Sequence, residues 1–361
     1  MAIGYAVLGA GIFAKSAYIP ALAKLPPGTA ELKAVYSRSE ASAQSLATAA
    51  REALALAVPP DVYYGEGGVD TLFARADVHA VILILPITTQ PGLVRAALAA
   101  GKHVLSEKPV AADVRAGREL VALYEAEYKP KGLVWRVAED FEMEPALRKA
   151  GEAIRAGRIG RVMFFEACMA TLTDKENPYY KTPWRTVPGY QGGFLLDGGV
   201  HFVAGLRMLL PSPITHLSSF AALNREHLVP KDTLQTIART ADGVTGTFTL
   251  TFGAPDGAYG VRNGWFIAGA DGALTITRTH EEREMYSVSI RAAGGKDEVE
   301  EVPVQGVEQE LKAFFTRIAG ATEDGSQNPR GPLADVAFIE AALNSEGQLV
   351  DLEAMLGKCA Q

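Results

Sequence analysis

Residues 3–14 read IGYAVLGAGIFA. An apolar run ends at Gly9, and Gly11 and Ala14 follow in G-x-G-x-x-A spacing. The first glycine of such a triplet permits a tight turn, and the second lets a pyrophosphate approach the backbone. The small third residue lets the following helix pack closely, with the phosphate at that helix's N-terminus. With 36 glycines in the chain a lone triplet means little, and a turn used only for packing is the plain alternative. The setting decides it: a strand precedes the triplet, and a helix and a second strand follow. Gly9, Gly11, Ile12, Phe13 and Ala14 are therefore expected to cradle a dinucleotide.

Outward from this cradle, short β-rich runs alternate with alanine-rich helical stretches over the first 140 residues. Strands are expected at 3–9, 31–37, 79–86, 101–109 and 132–140, and helices at 40–57, 91–101 and 114–128. Strand–helix–strand repetition means a parallel sheet covered by helices on both faces. The segment 143–161 reads as the helix that opens a second domain. The strand-like runs 162–171, 215–224, 233–240, 246–252, 264–269, 273–278 and 286–291 mostly lack helices between them, which predicts an antiparallel sheet. Late helices are expected at 307–320 and 332–348, with a loop at 320–332. The fold class is thus α/β: a Rossmann-type parallel sheet over 1–140, then an α/β domain over 141–361 with a large, mostly antiparallel, open-faced sheet. The helix at 332–348 is a candidate for packing back on the first domain.

In VTGTFTLTF (244–252), Thr245, Thr247, Thr249 and Thr251 alternate with Val244, Gly246, Phe248, Leu250 and Phe252. Period-2 alternation puts the threonines on one face and the larger apolar residues on the other. The threonine face is either solvated or a contact between subunits.

The second strand selects the cofactor. NAD binders carry Asp or Glu at its end to bond the ribose 2′-hydroxyl. Here Ser37, Arg38 and Ser39 stand there instead. A guanidinium and two hydroxyls suit a 2′-phosphate, which a carboxylate would repel. NADP(H) is therefore favoured over NAD(H), with Arg38 as a solvated helix-start residue the alternative.

Composition narrows the class. The 361 residues are 48% hydrophobic and 21% charged, with a net charge of −7. This fits a globular enzyme and offers no basic concentration for nucleic acid or an anionic membrane. No apolar run is long enough to span a bilayer, and no basic leader precedes the first strand. Cys168 and Cys359 cannot build a disulfide framework, which points to a reducing, cytoplasmic setting. Cys168 reads as a small buried hydrophobe. His79, His103, His216, His227 and His280 lack metal-ligand spacing, so no metal site is expected.

Two further stretches carry candidate chemistry. GKHVLSEKPVA (101–111) places Glu107, Lys108 and Pro109 at the exit of the fourth expected strand, where ligands meet parallel sheets. GGFLLDGGVHFVAGL (192–206) has only Asp197 and His201 as ionisable groups. Helical backbone from about Leu195 would put both on one face, one turn apart, with the glycines leaving room for a substrate and a nicotinamide. Read alone, the pair could equally close a helix start.

The cradle, AGKHVLSEKP and GGFLLDGGVH, in that order and separation, resemble the glucose–fructose oxidoreductase / inositol dehydrogenase (Gfo/Idh/MocA) family over essentially the whole chain. GAGIFA together with YYKTPWR (179–185) is similar to a fungal, yeast-type NADP-dependent branch. The resemblance implies that Lys108, Asp197 and His201 surround a substrate carbon beside the nicotinamide. His201 would be the proton donor or acceptor, Lys108 would polarise the reacting oxygen, and Asp197 would orient His201 or bind a substrate hydroxyl. It also places Leu85, Pro86, Thr88 and Gln90 of LPITTQ, with Glu107, Trp184 and Arg185, beside the cofactor. Tyr179 and Tyr180 become candidate substrate contacts. One departure stands out: Glu139-Asp140-Phe141 occurs where many relatives have Glu-Asn-aromatic, so Asp140 is either a substrate contact or a local turn residue.

The implied activity is hydride transfer between NADP(H) and a hydroxyl or carbonyl carbon of a sugar, polyol or related small molecule. A non-catalytic dinucleotide-binding regulator and a trans-dihydrodiol dehydrogenase-like enzyme are the alternatives. The resemblance further implies a homodimer or higher homo-oligomer formed through the second domain's sheet.

Overall fold

The computed structural model describes residues 2–255, 263–280, 284–322 and 325–357. Cys359 and the side chain of His280 lie outside them. By backbone contacts the chain divides into two units. The first comprises 1–111, 115–140 and 307–330; the second comprises 112–114, 141–306 and 331–361. By these contacts 307–330 groups with the first unit and 331–361 with the second.

In the first unit, six strands form one parallel sheet: β1 (Ile3–Leu8), β2 (Ala30–Ser37), β3 (Asp61–Tyr64), β4 (Ala80–Leu83), β5 (His103–Glu107) and β6 (Trp135–Ala138). Their order is β3-β2-β1-β4-β5-β6, so direction reverses between β1 and β4, the point where such sheets bind ligands. β4 and β6 are buried along their whole length, which explains their near-continuous apolar sequence. The helix Gly306–Ile318 completes the core by placing Leu311, Phe314 and Phe315 among Tyr5, Tyr18, Ile19 and Leu22. Behind it, the Val137 amide donates to the Gln327 carbonyl at 3.1 Å, which occupies part of the β6 edge. The sequence does not announce β3. DVYY is four residues long and has no fully buried position, so it carries no apolar run.

The second unit holds nine strands: β7 (Val162–Ala170), β8 (Ile214–Ala222), β9 (Thr233–Thr240), β10 (Thr245–Thr251), β11 (Gly264–Gly269), β12 (Gly272–His280), β13 (Glu284–Ala292), β14 (Glu298–Pro303) and β15 (Val350–Asp351). Their order is β14-β13-β12-β11-β7-β10-β9-β8-β15. Every pair is antiparallel except β7 with β10. Phe165, Phe248, Leu250, Trp265 and Ile267 are buried on the inner face. The helices Gly199–Leu209 and Arg330–Asn344 cover that face, with Phe338 edge-on to Phe248 at 5.0 Å. Cys168 is half-buried rather than a core residue. In register it opposes Thr249 and Gly264, on the same side as the threonines, so the helices do not cover it.

Candidate active site

At the cradle, the backbone explains each small residue. Gly9 has φ +116°, and a Cβ there would sit 2.0 Å from the Ile84 carbonyl oxygen, so only glycine fits. A Cβ on Gly11 would meet nothing within 4 Å: the second glycine faces open space. Ala14 is fully buried, Phe13 half-buried and Ile12 exposed. The Phe13 ring meets Tyr18 edge-on at 5.6 Å.

After β2, Ser37 is half-buried and Arg38 exposed. Ser39 caps the helix Glu40–Ala53, its Oγ accepting from the Ser42 amide at 3.3 Å. Leu85 and Pro86 are half-buried after β4, and Thr88 is exposed. Gln90, by contrast, is buried and donates through Nε2 to the Glu107 carbonyl at 3.1 Å, tying the end of β5 to the helix after β4. Lys108 is half-buried just past β5. Asp140, half-buried, follows β6.

Glu107 itself is buried, and its Oε1 accepts from the Tyr18 hydroxyl at 2.7 Å. Burial pushes its carboxyl up to about 8; Lys108 and the Tyr18 hydrogen bond oppose the rise, and Asp140 and Glu139 add to it. Tyr18 lies one helical turn past Ala14, on the buried side, and nothing in the sequence distinguishes it from an ordinary core aromatic.

Asp197 and His201 belong to the second unit. Asp197 ends the short helix Phe194–Asp197, Gly198 keeps right-handed helical angles, and His201 lies in the first turns of the helix Gly199–Leu209. Gly198 and Gly199 serve close packing rather than making room for a ligand. A Cβ on Gly198 would approach Phe252 to 2.8 Å, and one on Gly199 would approach Leu250 to 2.6 Å. They let the helix lie close on β10.

The buried Asp197 carboxylate is paired: Arg185 Nε donates to its Oδ2 at 2.6 Å. The guanidinium carbon sits 3.9 Å from the centroid of the Trp184 ring and 5.1 Å from that of Tyr179. Burial and the nearby Asp197 carboxylate push the Tyr190 hydroxyl up, with Arg185 opposing. Tyr180 packs between Phe194 at 6.4 Å and His227 at 5.3 Å, so its ring belongs to an aromatic cluster. The half-buried His201 ring stacks on Phe141 at 4.9 Å with planes 23° apart. Phe141 is in turn flanked edge-on by Phe202 and Trp265. The plane of the imidazole is thus set by an aromatic wall that the sequence did not announce.

The other described histidines have local structural partners. His79 and His103 accept backbone amides at 3.0 Å, and His216 and His227 meet Thr215 and the Thr173 carbonyl. No helix among the described residues is long and apolar enough to cross a membrane.

Residues 3–130 match the family described as "Oxidoreductase family, NAD-binding Rossmann fold", and residues 147–275 match the GFO/IDH/MocA C-terminal domain. A "Dehydrogenase FPY6" of Fusarium mangiferae is 38% identical, the match covering 95% of this chain and 96% of that protein. The chain belongs to the GFO/IDH/MocA family of oxidoreductases. A dTDP-3,4-didehydro-2,6-dideoxy-alpha-D-glucose 3-reductase of Streptomyces violaceoruber is 31% identical over 77% of this chain and 74% of its own. Among solved structures, an oxidoreductase of Thermotoga maritima superposes with a TM-score of 0.85 at 28% identity, covering 99% of this chain and all of that one. This GFO/IDH/MocA member therefore carries the family's dinucleotide-binding sheet followed by its large mixed sheet.

Proposed function

We propose that the protein is an NADP(H)-dependent oxidoreductase acting at a hydroxyl or carbonyl carbon of a sugar, polyol or related small molecule. One observation carries this reading. Gly9–Ala14, Arg38, Leu85–Thr88 and Lys108 all follow the carboxyl ends of parallel strands, around the point where strand order reverses. The cradle fits a dinucleotide, because Gly11 opens onto free space and Gly9 holds the turn. Arg38 is exposed, and no carboxylate stands at 37–39 to repel a 2′-phosphate. A dehydrogenase and a keto-sugar reductase among the relatives support the substrate class.

When bound, the nicotinamide supplies or accepts the hydride. Lys108 polarises the reacting oxygen. His201 takes or returns the hydroxyl proton, which general acid–base groups do at a gain of about 10²–10⁴ in rate. Asp197 orients His201 or binds a substrate hydroxyl, and Arg185 and Trp184 hold Asp197. Asp140, Tyr179 and Tyr180 are the proposed substrate contacts. The cytoplasm is the expected place of action.

We further assign the threonine face of the large sheet to subunit contact in a homo-oligomer. Phe164, which faces Thr245 in register, and Ile237, which faces Thr247, are exposed there. Light scattering at working concentration should report a dimer or larger, and a clean monomer would remove this assignment. The activity itself is tested by following NADPH absorbance across a panel of sugars, polyols and their carbonyl forms, with NADH in parallel. Turnover with NADPH on a member of the panel is expected; stronger turnover with NADH would overturn the role of Arg38.

A further inference from the structure

Three charged side chains meet inside the second unit. Arg207 lies on the helix Gly199–Leu209, which also carries His201, and Asp335 on the helix Arg330–Asn344. Glu142 lies on the short helix Asp140–Met143, directly after Phe141. Asp335 and Glu142 are buried, and Arg207 is half-buried. Arg207 donates through Nε to Asp335 Oδ1 at 3.0 Å and through Nη2 to Asp335 Oδ2 at 2.8 Å. The same Nη2 donates to Glu142 Oε1 at 2.5 Å. Gly331 closes over this pair: a Cβ there would lie 2.8 Å from both Arg207 Nη1 and Glu142 Oε1. Arg148 Nη1 donates to the Glu142 carbonyl at 3.4 Å and so also holds the short helix.

Stability alone does not explain such a cluster. Carboxylates and a guanidinium taken out of water recover their desolvation poorly, and apolar residues of similar volume often serve as well or better. What the ions supply is geometry. Two parallel bonds to Asp335 fix the position and the plane of the guanidinium, and the bond to Glu142 extends that frame to the short helix. The turn of the helix Gly199–Leu209 about its axis is thereby set against the helix of Phe141. These two elements meet again where the His201 ring stacks on Phe141 at 4.9 Å with planes 23° apart. Such a stack depends on the offset and tilt of both rings, so it is lost when either backbone turns.

We propose that Arg207 is a positioning residue: through Glu142 and Asp335 it locks the helix of His201 against that of Phe141 and so sets the plane of the imidazole. It acts through the backbones of the two helices. The consequence for turnover rests on the proposed role of His201, but the orientation of the ring does not.

Histidine-selective NMR of the full-length protein, without substrate or cofactor, reads the ring directly, its signal being the one lost in His201→Gln. Stacking on Phe141 should shift the His201 ring protons upfield, and Phe141→Leu should abolish that shift. Arg207→Lys keeps the charge and loses the fork. It should remove most of the upfield shift, and kcat should fall by about tenfold with KM for NADPH nearly unchanged. The triple variant Arg207→Met/Glu142→Leu/Asp335→Leu replaces the whole cluster by apolar side chains. It should unfold at no lower denaturant concentration than the wild type and still lose the shift, which a cluster serving stability alone would not produce. A wild-type His201 signal in Arg207→Lys or in the triple variant would overturn the proposal. A displaced signal in a protein that turns over nothing on the substrate panel would refute the functional reading and leave this one intact.

Discussion

Arg185 holds Asp197: its Nε lies 2.6 Å from Oδ2, while Trp184 covers the guanidinium at 3.9 Å. This answers how a buried carboxylate survives among glycines and leucines. This partner comes from YYKTPWR, twelve residues upstream.

Removing one partner of a buried ion pair costs about 3–5 kcal/mol, because the remaining charge stays out of water. Arg185→Ala should therefore lower stability by that order in denaturant unfolding. The double variant Arg185→Ala/Asp197→Ala should recover a large part of the loss. Equal losses in both variants would show that the ion pair is not the cause.

The two cradle glycines should separate stability from binding. Gly9→Ala places a Cβ against the Ile84 carbonyl at a φ that side chains avoid, so soluble folded protein should fall sharply. Gly11→Ala meets no protein atom. Its melting temperature should stay within a few degrees, while NADPH affinity, read by fluorescence titration, drops by about tenfold or more, about 1.4 kcal/mol.

Stability should fall with rising pH where Glu107 titrates. Its folded value is raised from 4.5 to about 8, so the folded state keeps a proton the unfolded chain has lost. The contribution is complete below about 4.5, declines by at most about 1.4 kcal/mol per pH unit, and is gone above about 8. Unfolding free energies of Glu107→Gln should lack this part of the slope between those limits.

The Phe141 ring fixes the plane of His201. Phe141→Leu keeps an apolar side chain and loses the stack. Turnover should fall by about tenfold, with KM for the cofactor nearly unchanged. A pure loss of stability with wild-type turnover would remove the positioning role of Phe141.

Much of this was legible in the chain. IGYAVLGAGIFA and HAVILILP announce strands of a parallel sheet because both their faces are buried, and VTGTFTLTF announces a one-sided strand by alternation. The edges were not legible. β3, β14 and β15 are short or charged, and EVEEVP looks like a solvated run because most of β14 is exposed. The site's support was hidden for a different reason. Arg185 and Phe141 act through partners distant in sequence, and spacing along one chain does not register such contacts.

The central claim is that His201 and Lys108 carry out the chemistry while the cradle binds the cofactor. Single-turnover and steady-state rates of His201→Ala and Lys108→Ala, with NADPH binding measured on the same samples, test it most directly. Unchanged NADPH affinity is expected, with turnover reduced by about 10²–10⁴ in each variant. Wild-type turnover in both would contradict it.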